Sequence, residues 1–425
     1  MYYHTYTGRT KIILIASPTI SGIMGHGKIQ EKTLFTGSSR NLTQLWASSL
    51  TLYQDHWYLF FPASTDNIDR NHRIYILKSR TRDPMGQWDF MGQLVLPPFD
   101  QKAIGPRLYV INDRLIFGFT GNVSLDYSED RDKSEQLYLV ELQEDSAKGF
   151  IVKSKDRTMI SEPTYSWEKQ GLPHNEGVFL MRSPLGTLYC IYSCSWAGSD
   201  HYKLGMLKLN GNDPFNASAW EKFPEPVFQS SPLNNVYAPG NPGFTKSPDG
   251  TEDWILFTNN SRQGVPWNRD VSAQKFEWVD DRPVFGVPES RNTALPLPSG
   301  EVVDRIMIQA EDMIIANGAK IVEIYDDKLV DFPDKKDTAS AVVSVPEKSN
   351  YALYIRFRNN TAEISEIYVR LNEGKQYPVS AGRSDKYCSI TAVGLPLEAG
   401  KNLLTFSTAR GLKIDLIILD RIPVK

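Results

Sequence analysis

Short runs of alternating apolar and polar residues dominate the chain, and Gly, Pro, Asn and Asp turns separate them. This period-two pattern predicts β-strands, because successive side chains of a strand point to opposite faces of its sheet. The 3.6-residue periodicity of amphipathic helices is nearly absent. The pattern therefore predicts an all-β protein.

One strand pair recurs along the first two thirds of the chain. An apolar strand, a polar turn and a strand rich in Tyr, Trp and Phe follow one another at residues 50–61, 107–119, 177–192 and 243–257. Another strand pair follows each copy, and a shorter copy lies within residues 2–15. Repeats of about four strands are typical of β-propeller blades. We expect a five-bladed β-propeller over residues 1–286, with the inner strand of the first blade missing. The even spacing favours this over an array of β-sandwiches.

A second all-β unit is predicted after the propeller. Residues 287–303 are rich in Pro and indicate a linker. Residues 304–425 alternate again and have the length of a jelly-roll β-sandwich. The sequence thus predicts two β domains joined by a short connection.

Composition excludes several classes of function. The formal net charge is −3, and no basic stripe points to nucleic acid as a partner. No apolar run approaches the ~20 residues that span a bilayer, so no membrane partner is expected. The N-terminus has no apolar core of a signal peptide, so we expect none in this chain. The odd, sparse set of three cysteines predicts core residues rather than a disulfide framework.

Six segments, taken in order, resemble family 43 of the glycoside hydrolases, the arabinofuranosidase and arabinanase group. They are residues 45–47, 83–86, 173–177, 202–205, 247–254 and 283–286. The resemblance implies a five-bladed propeller that hydrolyses arabinose- or xylose-containing plant polysaccharides with inversion at the anomeric carbon. It also implies secretion, although the compartment of this chain stays unknown.

The resemblance implies three carboxylates in the central funnel, and one is matched. Asn175-Glu176-Gly177 corresponds to the family's Asn-Glu-Gly-Pro, which makes Glu176 the expected general acid. The plainer alternative is a solvated Glu at the start of a strand. The Asp that raises the pKa of the acid corresponds to Gly105, in the run Lys102-Ala-Ile-Gly-Pro. We expect the general base upstream of residue 1; Asp126 and Asp200 are alternatives without support from spacing.

Further departures from the family remove polar groups, so two other functions stay open. Trp46-Ala-Ser-Ser replaces the family's Trp-Ala-Pro-Glu, and Asn241 stands where the family has His. The expected substrate contacts are Trp46, Asn175, Trp196 and Trp267. The chain is accordingly expected to be an impaired glycosidase, with a non-catalytic carbohydrate-binding propeller or an interaction scaffold as alternatives. No cofactor is expected for catalysis.

The C-terminal unit resembles carbohydrate-binding modules of families 6 and 35. The resemblance rests on residues 309–312 and 414–415 and implies a structural calcium held by Gln309, Glu311 and Asp415. Their hard oxygen atoms suit Ca²⁺. The alternative is that these are ordinary polar surface residues.

Overall fold

The computed structural model describes residues 1–26, 29–98, 100–123, 134–260, 262–267, 269–290, 295–301, 305–324, 327–345, 347–360, 364–382, 384–408 and 412–421. It divides into two compact units, the first within Met1–Met24 and Ile29–Glu301 and the second within Gly25–Lys28 and Val302–Lys425. In the described part of the chain, no helix is both long and apolar enough to cross a membrane.

The first unit is a propeller of five consecutive antiparallel sheets, as predicted. Its strands are β1 (Tyr2–Thr7), β2 (Lys11–Ser17), β3 (Gln30–Thr36), β4 (Ser49–Tyr53), β5 (His56–Ala63), β6 (Arg73–Ser79), β7 (Trp88–Leu94), β8 (Ala103–Ile111), β9 (Arg114–Gly121), β10 (Gln136–Asp145), β11 (Gly149–Val152), β12 (Thr158–Ser161), β13 (Asn175–Arg182), β14 (Leu188–Cys194), β15 (Lys203–Leu209), β16 (Trp220–Lys222), β17 (Tyr237–Lys246), β18 (Asp253–Asn260), β19 (Arg269–Val279) and β20 (Arg282–Val284). Short helical turns occur at Gly22–His26, Gly37–Arg40, Asp69–Asn71, Ser166–Glu168, Ala217–Ala219 and Pro232–Asn234.

Each sheet follows the chain order of its strands. The blades are β1-β2-β3, β4-β5-β6-β7, β8-β9-β10-β11 with β12 added beside β10, β13-β14-β15-β16 and β17-β18-β19-β20. Within the described residues the first blade thus has three strands where the others have at least four. Tight turns keep each hairpin in register. At Asn112 and Asp113, between β8 and β9, both φ angles are positive, as in the type I′ turns that match the twist of paired strands.

Alternating side chains fill the spaces between neighbouring blades. On β5, Leu59 and Phe61 pack with Ile12 of the first blade, whereas Phe60 lies on the other face with Phe117 of the third. The same arrangement recurs between the third and fourth blades and between the fourth and fifth. Cys190 and Cys194 belong to the former cluster, where both are buried and free, so they are core residues as predicted.

The segment predicted as a linker is attached to the propeller at several described positions. Asn234 donates a hydrogen bond to Pro288 O, and Glu289 N donates to the Gln274 side chain. Ser299 N donates to Glu252 of the fifth blade at 2.9 Å, while the Glu301 carboxylate accepts from Ser21, beyond the second strand. Residues 299–301 therefore connect the last blade to the first, and the compact propeller unit runs to Glu301 rather than to residue 286.

The second unit is a β-sandwich of two sheets. Its strands are β21 (Arg305–Gln309), β22 (Ile314–Ala316), β23 (Lys320–Ile324), β24 (Asp327–Asp331), β25 (Thr338–Val345), β26 (Ser349–Asn359), β27 (Ser365–Leu371), β28 (Gln376–Ala381), β29 (Ser384–Leu397), β30 (Gly400–Thr408) and β31 (Leu412–Arg421), with one helical turn at Ala310–Asp312. One sheet has the order β23-β24-β31-β26-β29 with β21 beside β31, and the other β22-β25-β30-β27-β28. Leu353 and Ile355 of β26 pack against Phe406 of β30, so the core lies between the sheets.

Candidate active site

Glu176 lies at the start of β13, the first strand of the fourth blade, and a tyrosine holds its side chain. Tyr202 donates a hydrogen bond from its hydroxyl to Glu176 Oε2 at 2.6 Å. Gly240 of the fifth blade makes room for this tyrosine, because a Cβ atom at position 240 would lie 2.1 Å from its ring. The close approach of two blades thus positions the expected acid.

The surroundings of Glu176 favour its protonated form. Burial raises the pKa of Glu176, and the negative charge of Glu135 raises it further. The hydrogen bond from Tyr202 acts in the opposite direction, since it stabilises the carboxylate, but the net pKa is raised. A raised pKa favours the protonated form of a carboxyl group, which can donate its proton to a leaving oxygen.

A charged cluster lies beside Glu176, with Lys102 and Glu135 buried and Asp69 exposed. Lys102 Nζ is 2.7 Å from Glu135 Oε1 and 2.6 Å from Asp69 Oδ2. His174 Nδ1 lies 3.4 Å from Glu135 Oε2. The two partners stabilise each other's charged forms: burial alone would raise the pKa of Glu135 and lower that of Lys102, yet the pKa of Glu135 is lowered and that of Lys102 raised.

Gly105 stands where the family has its pKa-raising Asp, and its conformation suits glycine. Its φ is +58°, in the left-handed region. A Cβ atom there would lie 3.3 Å from Gly177 Cα and 3.4 Å from Thr120 Oγ1. Position 105 therefore adjoins the residue after Glu176, which is where the resemblance expects a carboxylate.

Side chains of three first strands meet at the centre of the propeller. The Arg107 guanidinium of β8 lies 4.5 Å from the ring centroid of Phe179 on β13. Its Nη2 reaches Asn241 Oδ1 of β17 at 3.5 Å. Arg269 of β19 lies 5.2 Å from the Tyr202 ring and donates to Ala197 O and Ala238 O. These contacts tie the third, fourth and fifth blades together around Glu176.

Of the four expected substrate contacts, three retain exposed surface and one does not. Trp46 is partly exposed and packs against His72, with 3.9 Å between ring centroids and 31° between ring planes, on the side of Lys102. Trp196 and Trp267 are 40% and 61% exposed, and both rings approach Gly198. Asn175 is fully buried and donates to Ser161 Oγ at 2.8 Å, so in this structure it supports β13 and does not face the solvent.

The alternative bases gain no support. Asp126 lies outside the described residues. The Asp200 carboxylate accepts a hydrogen bond from Gly264 N at 2.7 Å and so orders the loop that carries Trp267.

In the second unit, the expected calcium ligands contact basic and neutral side chains. Asp415 is buried and forms an ion pair with Arg356, and Glu311 lies 3.9 Å from Lys328. Gln309 pairs with Leu416 across β21 and β31, so it lies near Asp415. Among the described residues, no three His, Cys, Asp or Glu side chains form a group that would hold a metal. The ligands fit an ion only if Arg356 turns away, and the calcium site stays a prediction.

A propeller with a carboxyl of raised pKa at a first strand, where side chains of neighbouring blades converge, has the features of a propeller-type glycosidase. The sequence model of the family described as "Glycosyl hydrolases family 43" matches residues 1–283, and the chain belongs to that family.

Individual relatives agree with this assignment. The chain is similar to "Extracellular exo-alpha-(1->5)-L-arabinofuranosidase" of Streptomyces avermitilis, at 28% identity over 68% of this chain and 59% of that protein. It is also similar to "Alpha-L-arabinofuranosidase 43" of Humicola insolens, at 26% identity over 75% of this chain and 64% of that protein. The chain thus spans less than two thirds of either relative.

Solved structures show the same fold. The α-L-arabinofuranosidase of Lactobacillus brevis superimposes with a TM-score of 0.61 at 24% identity, over 69% of this chain and 92% of that one. A thermostable family-43 glycoside hydrolase superimposes with a TM-score of 0.54 at 18% identity, over 70% of this chain and 96% of that one.

Proposed function

We propose that the propeller binds the terminal sugar of an arabinose- or xylose-containing glycan and hydrolyses its glycosidic bond slowly, with Glu176 as the general acid. The observation that carries this proposal is the environment of Glu176. Its carboxyl is desolvated, its pKa is raised, and Tyr202 holds Oε2 at 2.6 Å. Tyr202 thus orients the carboxyl, and its raised pKa favours the protonated form.

The proton of Glu176 is transferred to the glycosidic oxygen as the bond to the anomeric carbon breaks. The leaving alcohol then departs neutral, and Glu176 is left as a carboxylate that the Tyr202 hydroxyl stabilises. Inversion further requires a carboxylate that activates water on the opposite face of the sugar, roughly 6.5–9.5 Å from the acid. Glu135 is unsuited to that role because it is buried and paired with Lys102. We assign the role to no described residue.

The names of the relatives and the aromatic side chains near the acid support the proposed substrate class. Two curated relatives are arabinofuranosidases by name. Trp196 and Trp267 offer partly exposed rings on which a sugar face can stack. The loops that carry them are joined to the site, because Arg269 donates to Ala197 O and contacts the Tyr202 ring.

A carbohydrate-binding propeller without turnover is the second candidate, and Gly105 is the observation that favours it. Glycine at this position supplies no charge beside the acid, so the family's arrangement of carboxylates is incomplete at a described residue. Binding by the aromatic loops does not depend on that charge.

The test is hydrolysis of 4-nitrophenyl α-L-arabinofuranoside and 4-nitrophenyl β-D-xyloside by the unmodified chain and by Glu176→Gln. General acid catalysis is worth ~10²–10⁴ in rate, so we expect slow turnover that falls by at least the lower figure in the variant. Glu168→Gln is the matched control, because Glu168 is a buried carboxylate of the same blade paired with Lys222. Binding of arabinose or xylose without turnover supports the second candidate. If the chain neither binds nor hydrolyses any such sugar, both candidate functions are contradicted.

A further inference from the structure

We propose that Glu135 replaces the carboxylate missing at position 105: its negative charge, held between Lys102 and His174, keeps the proton on Glu176. The inference rests on the proposed function, in which Glu176 is the proton donor. It makes Glu135 a positioning residue that acts through the acid and does not touch the substrate.

The backbone fixes Glu135 directly beside the acid's strand. Glu135 and His174 form a parallel β-bridge, in which Glu135 N donates to Pro173 O at 3.1 Å and Asn175 N donates to Glu135 O at 3.0 Å. Residues two apart on a strand share a face, so His174 and Glu176 point to the same side. Because the Glu135 carboxylate contacts His174 on that side, it lies next to Glu176 in space.

Burial makes this charge effective. Glu135 and Lys102 are 2% and 6% exposed, so little water screens the field of the carboxylate. Lys102 and His174 keep Glu135 ionised, which a buried carboxyl without a cationic partner would not be. Lys102 stands three residues before Gly105, immediately ahead of β8. A cation and a glycine that carries no carboxylate thus lie within one short segment, and Glu135 is the partner of that cation.

The other charged and titratable groups around the acid act less strongly or in the opposite direction. Tyr202, His174 and Lys102 each lower the pKa of Glu176, whereas Glu135 raises it and is the largest contribution after burial. Arg269 also faces the acid. His72 and Asp69 act one step further away, on Glu135 and Lys102 respectively.

The experiment is a direct titration of Glu176 in the full chain, by carbon NMR of ¹³C-carboxyl-labelled glutamate. Glu176→Gln assigns the signal. In Glu135→Gln we expect the titration midpoint of Glu176 to move to lower pH, and in Glu135→Asp to stay near its original value because the charge is kept. Glu168→Gln is the matched control, because it also breaks a buried Lys–Glu ion pair, that of Glu168 with Lys222 at 2.8 Å. It should leave the Glu176 midpoint unchanged.

A purely structural role for Glu135 predicts a different result. It predicts that Glu135→Gln and Glu168→Gln lose stability alike and that neither moves the Glu176 midpoint, which would overturn the inference. If Glu135→Gln fails to fold because Lys102 is left buried, the double variant Lys102→Met/Glu135→Gln removes both charges. The midpoint should still fall there, because Glu135 contributes more than Lys102 to the field at Glu176.

The titration and the proposed function fail separately. A downward shift in a protein that hydrolyses no glycoside would support the role of Glu135 and refute the enzymatic function. Glu176-dependent hydrolysis with an unmoved Glu176 midpoint in Glu135→Gln would support the enzymatic function and refute the role of Glu135.

Discussion

Gly105→Asp restores the family's third carboxylate, and its consequences can be worked out from the structure. The φ of +58° costs an L-residue about 1–2 kcal/mol, with Asp and Asn toward the lower end because they tolerate the left-handed region. The new Cβ would lie 3.3 Å from Gly177 Cα, which is tight but allows a small shift. We expect a loss of stability of about 1 kcal/mol, which lowers the melting temperature of a domain this large by about 2 °C.

The effect on activity should be small even though the carboxylate returns. If Glu135 already supplies negative charge next to Glu176, a second carboxylate adds little to the protonated fraction of the acid. We therefore expect kcat/KM of Gly105→Asp to rise by less than about tenfold, which corresponds to about 1.4 kcal/mol of transition-state stabilisation.

Two matched variants separate strain from charge. Gly105→Asn has the shape of Asp and its tolerance of positive φ but carries no charge, and Gly105→Ala carries only the backbone strain. Calorimetry should rank Asn and Asp above Ala in stability. A kcat/KM for Gly105→Asp that exceeds that of Gly105→Asn by a hundredfold would refute the reasoning, because it would show that the glycine is the main defect of the site.

Three further predictions concern other parts of the molecule. Tyr202→Phe removes a hydrogen bond that favours the carboxylate, so the pKa of Glu176 should rise and the alkaline limb of the kcat/KM profile should move to higher pH; a move to lower pH would contradict the assigned direction. Trp267→Ala should weaken sugar binding, measured by calorimetry, while the melting temperature stays nearly constant because the ring is 61% exposed; unchanged affinity would remove Trp267 from the substrate site. If calcium displaces Arg356 from Asp415, chelation of calcium-loaded protein should lower its melting temperature, and no shift would leave the ion pair as the role of Asp415.

The fold could be predicted from sequence because it is built from local pattern. The alternation along β5 already separates Leu59 and Phe61 from Phe60, and the structure places them on opposite faces of the second blade. Its repetition at regular spacing predicted the remaining blades. The attachment of Pro288 to the propeller could not be predicted, because its hydrogen bond with Asn234 joins residues 54 positions apart and no local pattern signals it.

The site was predictable only where a motif marks it. Glu176 stands in such a motif, but Glu135 does not, and its partners Asp69, Lys102 and His174 come from separate positions that meet only once the blades close. The one available signal was a set of charged residues close to apolar strands. The motif did not predict the orientation of Asn175, whose side chain is buried and donates to Ser161.

The most direct test of the central claim, that Glu176 is the proton donor of a glycosidase, is the dependence of rate on the leaving group. A series of aryl α-L-arabinofuranosides would be compared between the unmodified chain and Glu176→Gln. A general acid matters most for poor leaving groups, so the variant should lose ~10²–10⁴ in kcat/KM with weakly acidic phenols and far less with dinitrophenol. An equal loss for all leaving groups, or none, would contradict the account.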